Sequence, residues 1–180
     1  MAKIIAVGGV PATGKTTLIK SILNNFKPLT KFKLGLIQGV RSKLLRIYVI
    51  GVYDNSTFAG TDKLSMACQP DFFKFVNKLS DNDLVIFEGD RLFNQSLFDK
   101  VDCDIIVLEA DKDILIDRHI DRRDNQTEKF IQAKFTKIRN IVNNNSVKIF
   151  NNNSPEHKQY IIEHIMDIVG RHLIKTVKQQ

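Results

Sequence analysis

A three-layer α/β fold, with a mainly parallel sheet of about five strands covered by helices on both faces, is predicted for this 180-residue chain by three observations. Short runs of continuous apolar, β-branched residues recur along it, as strands buried on both faces require. Segments with apolar residues at helical spacing separate those runs. A glycine-bounded loop ending in Gly14-Lys15-Thr16 joins the first run directly to the first helical segment.

The elements follow in order. "KIIAVGG" (3–9) reads as a buried strand, and "GKTTLIKSILNNF" (14–26) as a helix carrying Leu18, Ile19 and Ile22 on one face. "KFKLGLIQG" (31–39) and "LLRIYVIGVYD" (44–54) read as two strands joined by the polar "VRSK", a hairpin after the first helix. "QPDFFKFVNKLS" (69–80) is helical, with Asp71 near its start and Phe72, Phe75, Val76 and Leu79 at helical period. "NDLVIFEGD" (82–90) and "DCDIIVLEAD" (102–111) are continuous strands that end in acids. Two helices, 113–123 and 127–142, precede a last strand, "SVKIFN". The final helix opens on Ser154-Pro155-Glu156, an N-cap followed by a first-turn proline and an early acid. No repeat or Pro/Gly/Ser-rich linker divides residues 1–180, which predicts one domain.

Composition excludes several classes. The longest apolar runs are strand-sized, so none approaches the length of a membrane span. Residues 1–9 lack a signal-peptide pattern, and Cys68 and Cys103 stand apart without a CxxC or histidine partner. Both features predict a cytoplasmic protein with no metal cluster or disulfide framework. The net charge of +7 is unevenly placed, because residues 1–53 hold nine Lys or Arg and no acid. A basic first third around a glycine-rich loop suits an anionic ligand.

"GVPATGKT" is Gly9, four residues, then Gly14-Lys15-Thr16, a complete GxxxxGK[ST] phosphate loop between a predicted strand and a predicted helix. Its backbone (Gly9, Val10, Pro11, Ala12, Thr13, Gly14) and the first helical residues (Lys15, Thr16, Thr17) are the candidate binding set for a nucleotide triphosphate. Lys15 can reach the β- and γ-phosphates, and the Thr16 hydroxyl can meet Mg²⁺. The phosphate loop, the parallel α/β pattern and the later arginines resemble the small P-loop kinases that act on nucleosides, nucleotides and similar metabolites. That resemblance implies ATP with Mg²⁺ and a mobile arginine-bearing lid, here about residues 115–128. In "LIDRHIDRR", Leu115, Arg118 and Arg122 match the lid spacing of such kinases, and Arg118 also falls to the nucleotide. Arg118 and Arg122 are four apart, so on a helix they leave one face and can neutralise a transferring phosphoryl group. The alternating acids Asp117, Asp121 and Asp124 equally suit a solvated, salt-bridged face.

Strand-end carboxylates carry the remaining chemistry. Asp54, Glu88 and Asp90 are expected at neighbouring strand ends, where a carboxylate can orient an acceptor hydroxyl or hold Mg²⁺ through water. Glu88 is the candidate base or metal-side carboxylate, with Asp54 and Asp90 as substrate or Mg²⁺ partners. Such a cluster favours transfer to a hydroxyl over transfer to a phosphate, which needs more positive charge and no base. "STFAGTDKLSMACQPDFF", with "YD" before it and "FEGDR" after it, resembles phage-encoded P-loop kinases, a group that includes enzymes phosphorylating 5-hydroxymethyluracil in viral DNA. The likeness implies that Gly60, Thr61, Asp62, Ser65, Gln69 and Arg91 lie near the acceptor. The basic hairpin (Lys31, Lys33, Arg41, Lys43, Arg46) could then follow a DNA backbone. The acceptor is expected to be a nucleoside-like small molecule or a modified base in DNA. A nucleoside monophosphate kinase and a P-loop NTPase or nucleotide-binding module without phosphotransfer are the alternatives. A GTPase is disfavoured, since Asn77-Lys78 and Asp81 fall on a predicted helix instead of following a strand.

Overall fold

The computed structural model describes residues 1–54, 59–121 and 126–177. Its seven-stranded sheet has the order β2-β3-β4-β5-β1-β6-β7. The strands are β1 (Lys3–Gly8), β2 (Leu29–Leu34), β3 (Ile37–Ser42), β4 (Ile47–Ile50), β5 (Leu84–Glu88), β6 (Asp104–Glu109) and β7 (Val147–Asn151). The five from β4 to β7 in the sheet are mutually parallel, and β2 and β3 extend the β4 edge as an antiparallel pair. The helices are α1 (Lys15–Leu23), α2 (Gln69–Val76), α3 (Gln95–Phe98), α4 (Lys112–Asp121), α5 (Glu128–Asn144) and α6 (Pro155–Val177).

Parallel strands buried on both faces need two cores, and alternation along each strand supplies them. Ile4, Ala6, Val85 and Phe87 point to one side, where Phe72 and Phe75 of α2, Leu97 of α3 and Ile138 and Ile141 of α5 pack on them. Ile5, Val7, Leu84 and Ile86 point to the other, against Leu18 and Ile22 of α1 and Ile161 and Ile165 of α6. Phe72 and Phe75 therefore serve the core, and the half-buried Phe73 lies under Lys100.

The run 31–39 is not one strand. It folds at Gly35-Leu36 into β2 and β3, so three antiparallel-linked strands replace the predicted hairpin. The reason lies outside the run. Asp71, in the first turn of α2, accepts the Leu36 N–H at 2.9 Å, and that bond holds its carboxyl below the usual range. The short α3 also escapes the sequence pattern, because Asn94 caps it by accepting the Leu97 N–H at 3.0 Å and it spans a single turn.

At the other end of β5, Asp83 is buried and accepts from Arg46 Nε at 2.9 Å, Arg46 Nη2 at 3.1 Å, and the Ser80 N–H at 2.7 Å. Burial alone would raise this carboxyl, but the Arg46 and Ser80 bonds outweigh it and the net shift is downward. A carboxyl lowered in the folded state stabilises above its unfolded value, about 3.9, and loses that contribution as pH falls through the folded value. Asp83→Ala should therefore destabilise the fold by about 1–3 kcal/mol at pH 7, with the gap from wild type closing below about pH 4. Urea unfolding at pH 7, 5 and 3 reads both; a gap that widens on acidification would contradict the account.

Candidate active site

The phosphate loop leaves β1 at Gly8 and enters α1 at Lys15, with Gly9 at φ 140°, Ala12 at φ 66° and Gly14 at φ 88°. Its carbonyls are taken up by side chains. Lys15 Nζ donates to Gly9 O at 2.9 Å and Val10 O at 2.8 Å, and the buried Thr13 hydroxyl donates to Val10 O at 2.9 Å. Arg118 Nη1 reaches Ala12 O at 3.2 Å, and Asn152 Nδ2 reaches Thr13 O at 2.7 Å. Carbonyls bound in this way leave the loop amides and the first N–H groups of α1 to make an anion cradle.

Asn152 ties three elements together. Its N–H donates to Glu109 O at the end of β6 (2.8 Å), its side chain holds the loop, and its carbonyl accepts from Arg118 Nη2 at 2.7 Å. α4 thus anchors at Leu115 in the core and lays Arg118 on the loop. Arg122 lies outside the described residues.

Glu88 ends β5 beside the loop. It is 1% exposed, and its Oε1 accepts from Thr16 Oγ1 at 3.0 Å. The segment before α2 is built around it. The Thr61 hydroxyl donates to Glu88 O at 2.8 Å, and a Cβ on Gly60 (φ 76°) would fall 1.9 Å from Glu88 Oε1. A side chain at position 60 would therefore displace the carboxylate. Nearby, the Tyr53 hydroxyl donates to Ile50 O at 3.2 Å, and burial together with Glu88 and Asp62 raises its pKa well above the usual value.

These groups open onto a cleft of about 530 Å³, lined by the loop residues Gly9, Pro11, Ala12, Gly14, Lys15, Thr16 and Thr17, with Lys20, Ala59, Asp62, Glu88, Asp90, Arg91, Gln126, Phe130 and Lys134. Val10 and Thr13 lie behind the loop as buried supports. On the far side of Gly14 and Thr17 a smaller pocket of about 330 Å³ is lined by Arg118, Asp121, Asn152, Asn153, Ser154, Pro155 and Lys158.

The predicted carboxylate cluster is rearranged. Glu88 and Asp90 share the cleft with Asp62, whose Oδ1 accepts the Asp90 N–H at 2.9 Å. Asp54 does not line it; its carboxylate pairs with Lys63 at 2.5 Å, and its carbonyl accepts from Lys20 at 2.6 Å. Asp90, expected as a substrate or Mg²⁺ partner, is bound by Lys134 and, at 3.3 Å, by Lys137. Burial pushes the Asp90 carboxyl up, but the Lys134 bond and both ammonium charges outweigh it and lower it. The carboxylate next to Thr16 is Glu88. Gln69 also stands off the cleft, bonded to Ser96 at 3.3 Å and Asn94 at 3.2 Å at the head of α2. Ser65 accepts the Ala67 N–H at 3.2 Å, a local turn contact. Arg41, Lys43 and Arg46 line a separate pocket with Asp83, at the opposite end of β5 from Glu88.

Sequence reasoning missed the α5 wall. Phe130, Lys134 and Lys137 recur at i, i+4 and i+7, a helical stripe that could have been read, and Lys134 sits over the Phe130 ring at 4.7 Å. Asn152 was hidden among turn-forming asparagines, although it is 4% exposed.

Among the described residues no group of three or more His, Cys, Asp or Glu could hold a metal ion, and no helix is long and apolar enough to cross a membrane. No protein-family model matches the chain, and no curated protein matches it in sequence. Solved structures are similar in fold. A gluconokinase from Sinorhizobium meliloti 1021 aligns at TM-score 0.52 and 12% identity, over 99% of this chain and 97% of that one. A sugar kinase from Janibacter sp. HTCC2649 aligns at TM-score 0.52 and 10% identity, over 93% and 94%. The mainly parallel α/β architecture is one that these kinases share.

Proposed function

We propose that the chain is an ATP-dependent phosphotransferase that moves the γ-phosphoryl group to a hydroxyl of a small acceptor bound in the large cleft. One observation carries this reading: the Thr16–Glu88 hydrogen bond joins a complete phosphate loop to a buried strand-end carboxylate on the floor of that cleft. Phosphoryl transfer uses such a carboxylate beside the transferring group, either on the metal side or at the acceptor. The fold shared with two sugar-type kinases supports the same class.

The loop amides and α1 terminus receive the phosphates, and Lys15 exchanges the Gly9 and Val10 carbonyls for phosphate oxygens. We assign the nucleoside part of the donor to the smaller pocket, where Arg118 borders Gly14 and Thr17. Arg118, held on the Ala12 carbonyl beside the loop, is our candidate to offset charge as the bond to the leaving group breaks. Thr16 and Glu88 offer neighbouring hydroxyl and carboxylate oxygens, a donor set that fits Mg²⁺ completed by phosphate and water. When bound, Mg²⁺ supplies charge neutralisation at the β- and γ-phosphates. Asp62, the remaining cleft carboxylate without an ion pair among the described residues, is our candidate to orient the acceptor hydroxyl and accept its proton.

An acceptor screen with γ-labelled ATP tests the proposal. Label should pass to one class among sugars, sugar acids, nucleosides, nucleotides and hydroxymethylpyrimidine DNA. The DNA arm belongs in the screen because of the resemblance around residues 33–91, although the Arg41, Lys43 and Arg46 pocket lies at the far end of β5 from the cleft. ATP hydrolysis with no labelled acceptor across the set would defeat the kinase reading in favour of an NTPase.

A further inference from the structure

We infer that the acceptor carries an anionic group, a carboxylate or a phosphate monoester, received by Arg91 with Lys134 in the large cleft; the inference rests on the phosphotransfer reading for the word acceptor, not for the anion site itself. The argument begins with charge. Among the described residues of the cleft, with Lys137 beside them, Lys15, Lys20, Arg91, Lys134 and Lys137 stand against Asp62, Glu88 and Asp90, so cations are in excess. Asp90 already takes both lysines, one on each oxygen. Arg91 forms no ion pair among the described residues.

Its geometry is equally suggestive of a ligand. Arg91 Nε donates to Leu64 O at 3.3 Å, which fixes the guanidinium plane through the edge that faces the protein. Its two terminal nitrogens have no hydrogen-bond partner among the described residues and belong to a side chain that lines the cleft. A planar fork held by one nitrogen, with the other two presented, matches the two oxygens of a carboxylate or phosphate. In the same cleft the Gln126 Oε1 is shut off from solvent without a partner among the described residues, and Phe130 is 42% exposed. A buried amide oxygen lacking a donor costs free energy until something supplies one, and a hydroxyl or N–H on the acceptor body would do so. The cleft is thus furnished for a polar molecule with a negatively charged end, and a neutral nucleoside or sugar leaves Arg91 unanswered.

Matched ligand pairs test this. With the donor site filled by ADP and Mg²⁺, calorimetric titration compares gluconate with glucose, and a nucleoside 5′-monophosphate with its nucleoside. The charged member of at least one pair should bind roughly 10- to 100-fold more tightly, and the pair that shows it identifies carboxylate or phosphate as the source. Arg91→Gln should reduce that ratio to within about threefold, Arg91→Lys should retain part of it, and Lys134→Gln should lower it by a smaller factor. Circular dichroism confirms that each variant folds. Equal binding within both pairs, no binding of either charged probe, or a preference that survives both Arg91→Gln and Lys134→Gln would overturn the inference. Label transfer is scored in parallel: an Arg91-dependent anion preference with no transfer in the full acceptor screen keeps the anion site and removes phosphotransfer.

Discussion

Lys15→Met should lower kcat/KM for label transfer by roughly 10²–10³-fold while the protein stays folded. The lysine is the one cation of the loop itself, and its ammonium lies 2.9 Å from Gly9 O and 2.8 Å from Val10 O. Methionine keeps the length and apolar stem and removes only the charge and donors. Two carbonyls then need water, at about 0.5–1.5 kcal/mol each, a cost a folded domain can bear. Lys78→Met, an equal charge loss at an exposed residue just after α2, serves as the control and should leave the rate within about twofold. Parallel losses in the two variants would mean that long-range charge, not the loop contact, sets the rate.

How much of this was legible beforehand depended on how local each signal was. The phosphate loop, the five parallel strands and α1 are written in contiguous residues, and they lie within the predicted runs, with β4 reduced to Ile47–Ile50 of the run 44–54. The β2–β3 turn was not, because the Asp71 carboxylate that locks it is 35 residues downstream of Leu36. The same limit governs the site. Asp54, Glu88 and Asp90 look equivalent as strand-end acids, and only the fold reveals that Lys63 takes the first, Thr16 the second and two α5 lysines the third. Sequence alone sees the acids but not the cations that answer them. Asn152 shows the converse, a residue type that signals a turn yet whose burial makes it the strut between loop, β6 and α4.

Glu88→Gln separates the roles those acids play. The amide keeps the shape of the carboxylate and an oxygen to accept the Thr16 hydroxyl, so the fold should survive. Because Glu88 is 1% exposed, removing its charge also removes a desolvation penalty, and the unfolding midpoint should hold or rise. Activity should fall by roughly 10²–10⁴-fold, the range lost with a positioned carboxylate in proton transfer or charge organisation. Stability gained and activity lost in one substitution is the signature of a group retained for chemistry. The Mg²⁺ dependence then decides which chemistry. If Glu88 acts with Thr16 on the metal side, Glu88→Gln and Thr16→Val should each raise the Mg²⁺ concentration giving half-maximal rate, and the double variant should lose less than the product of the singles. If Glu88 instead orients the acceptor, the Mg²⁺ midpoint should stay fixed and the acceptor terms should change, leaving Asp62 spare. An unchanged rate would make Glu88 a structural partner of Gly60 and Thr61, and the Thr16 bond a packing contact.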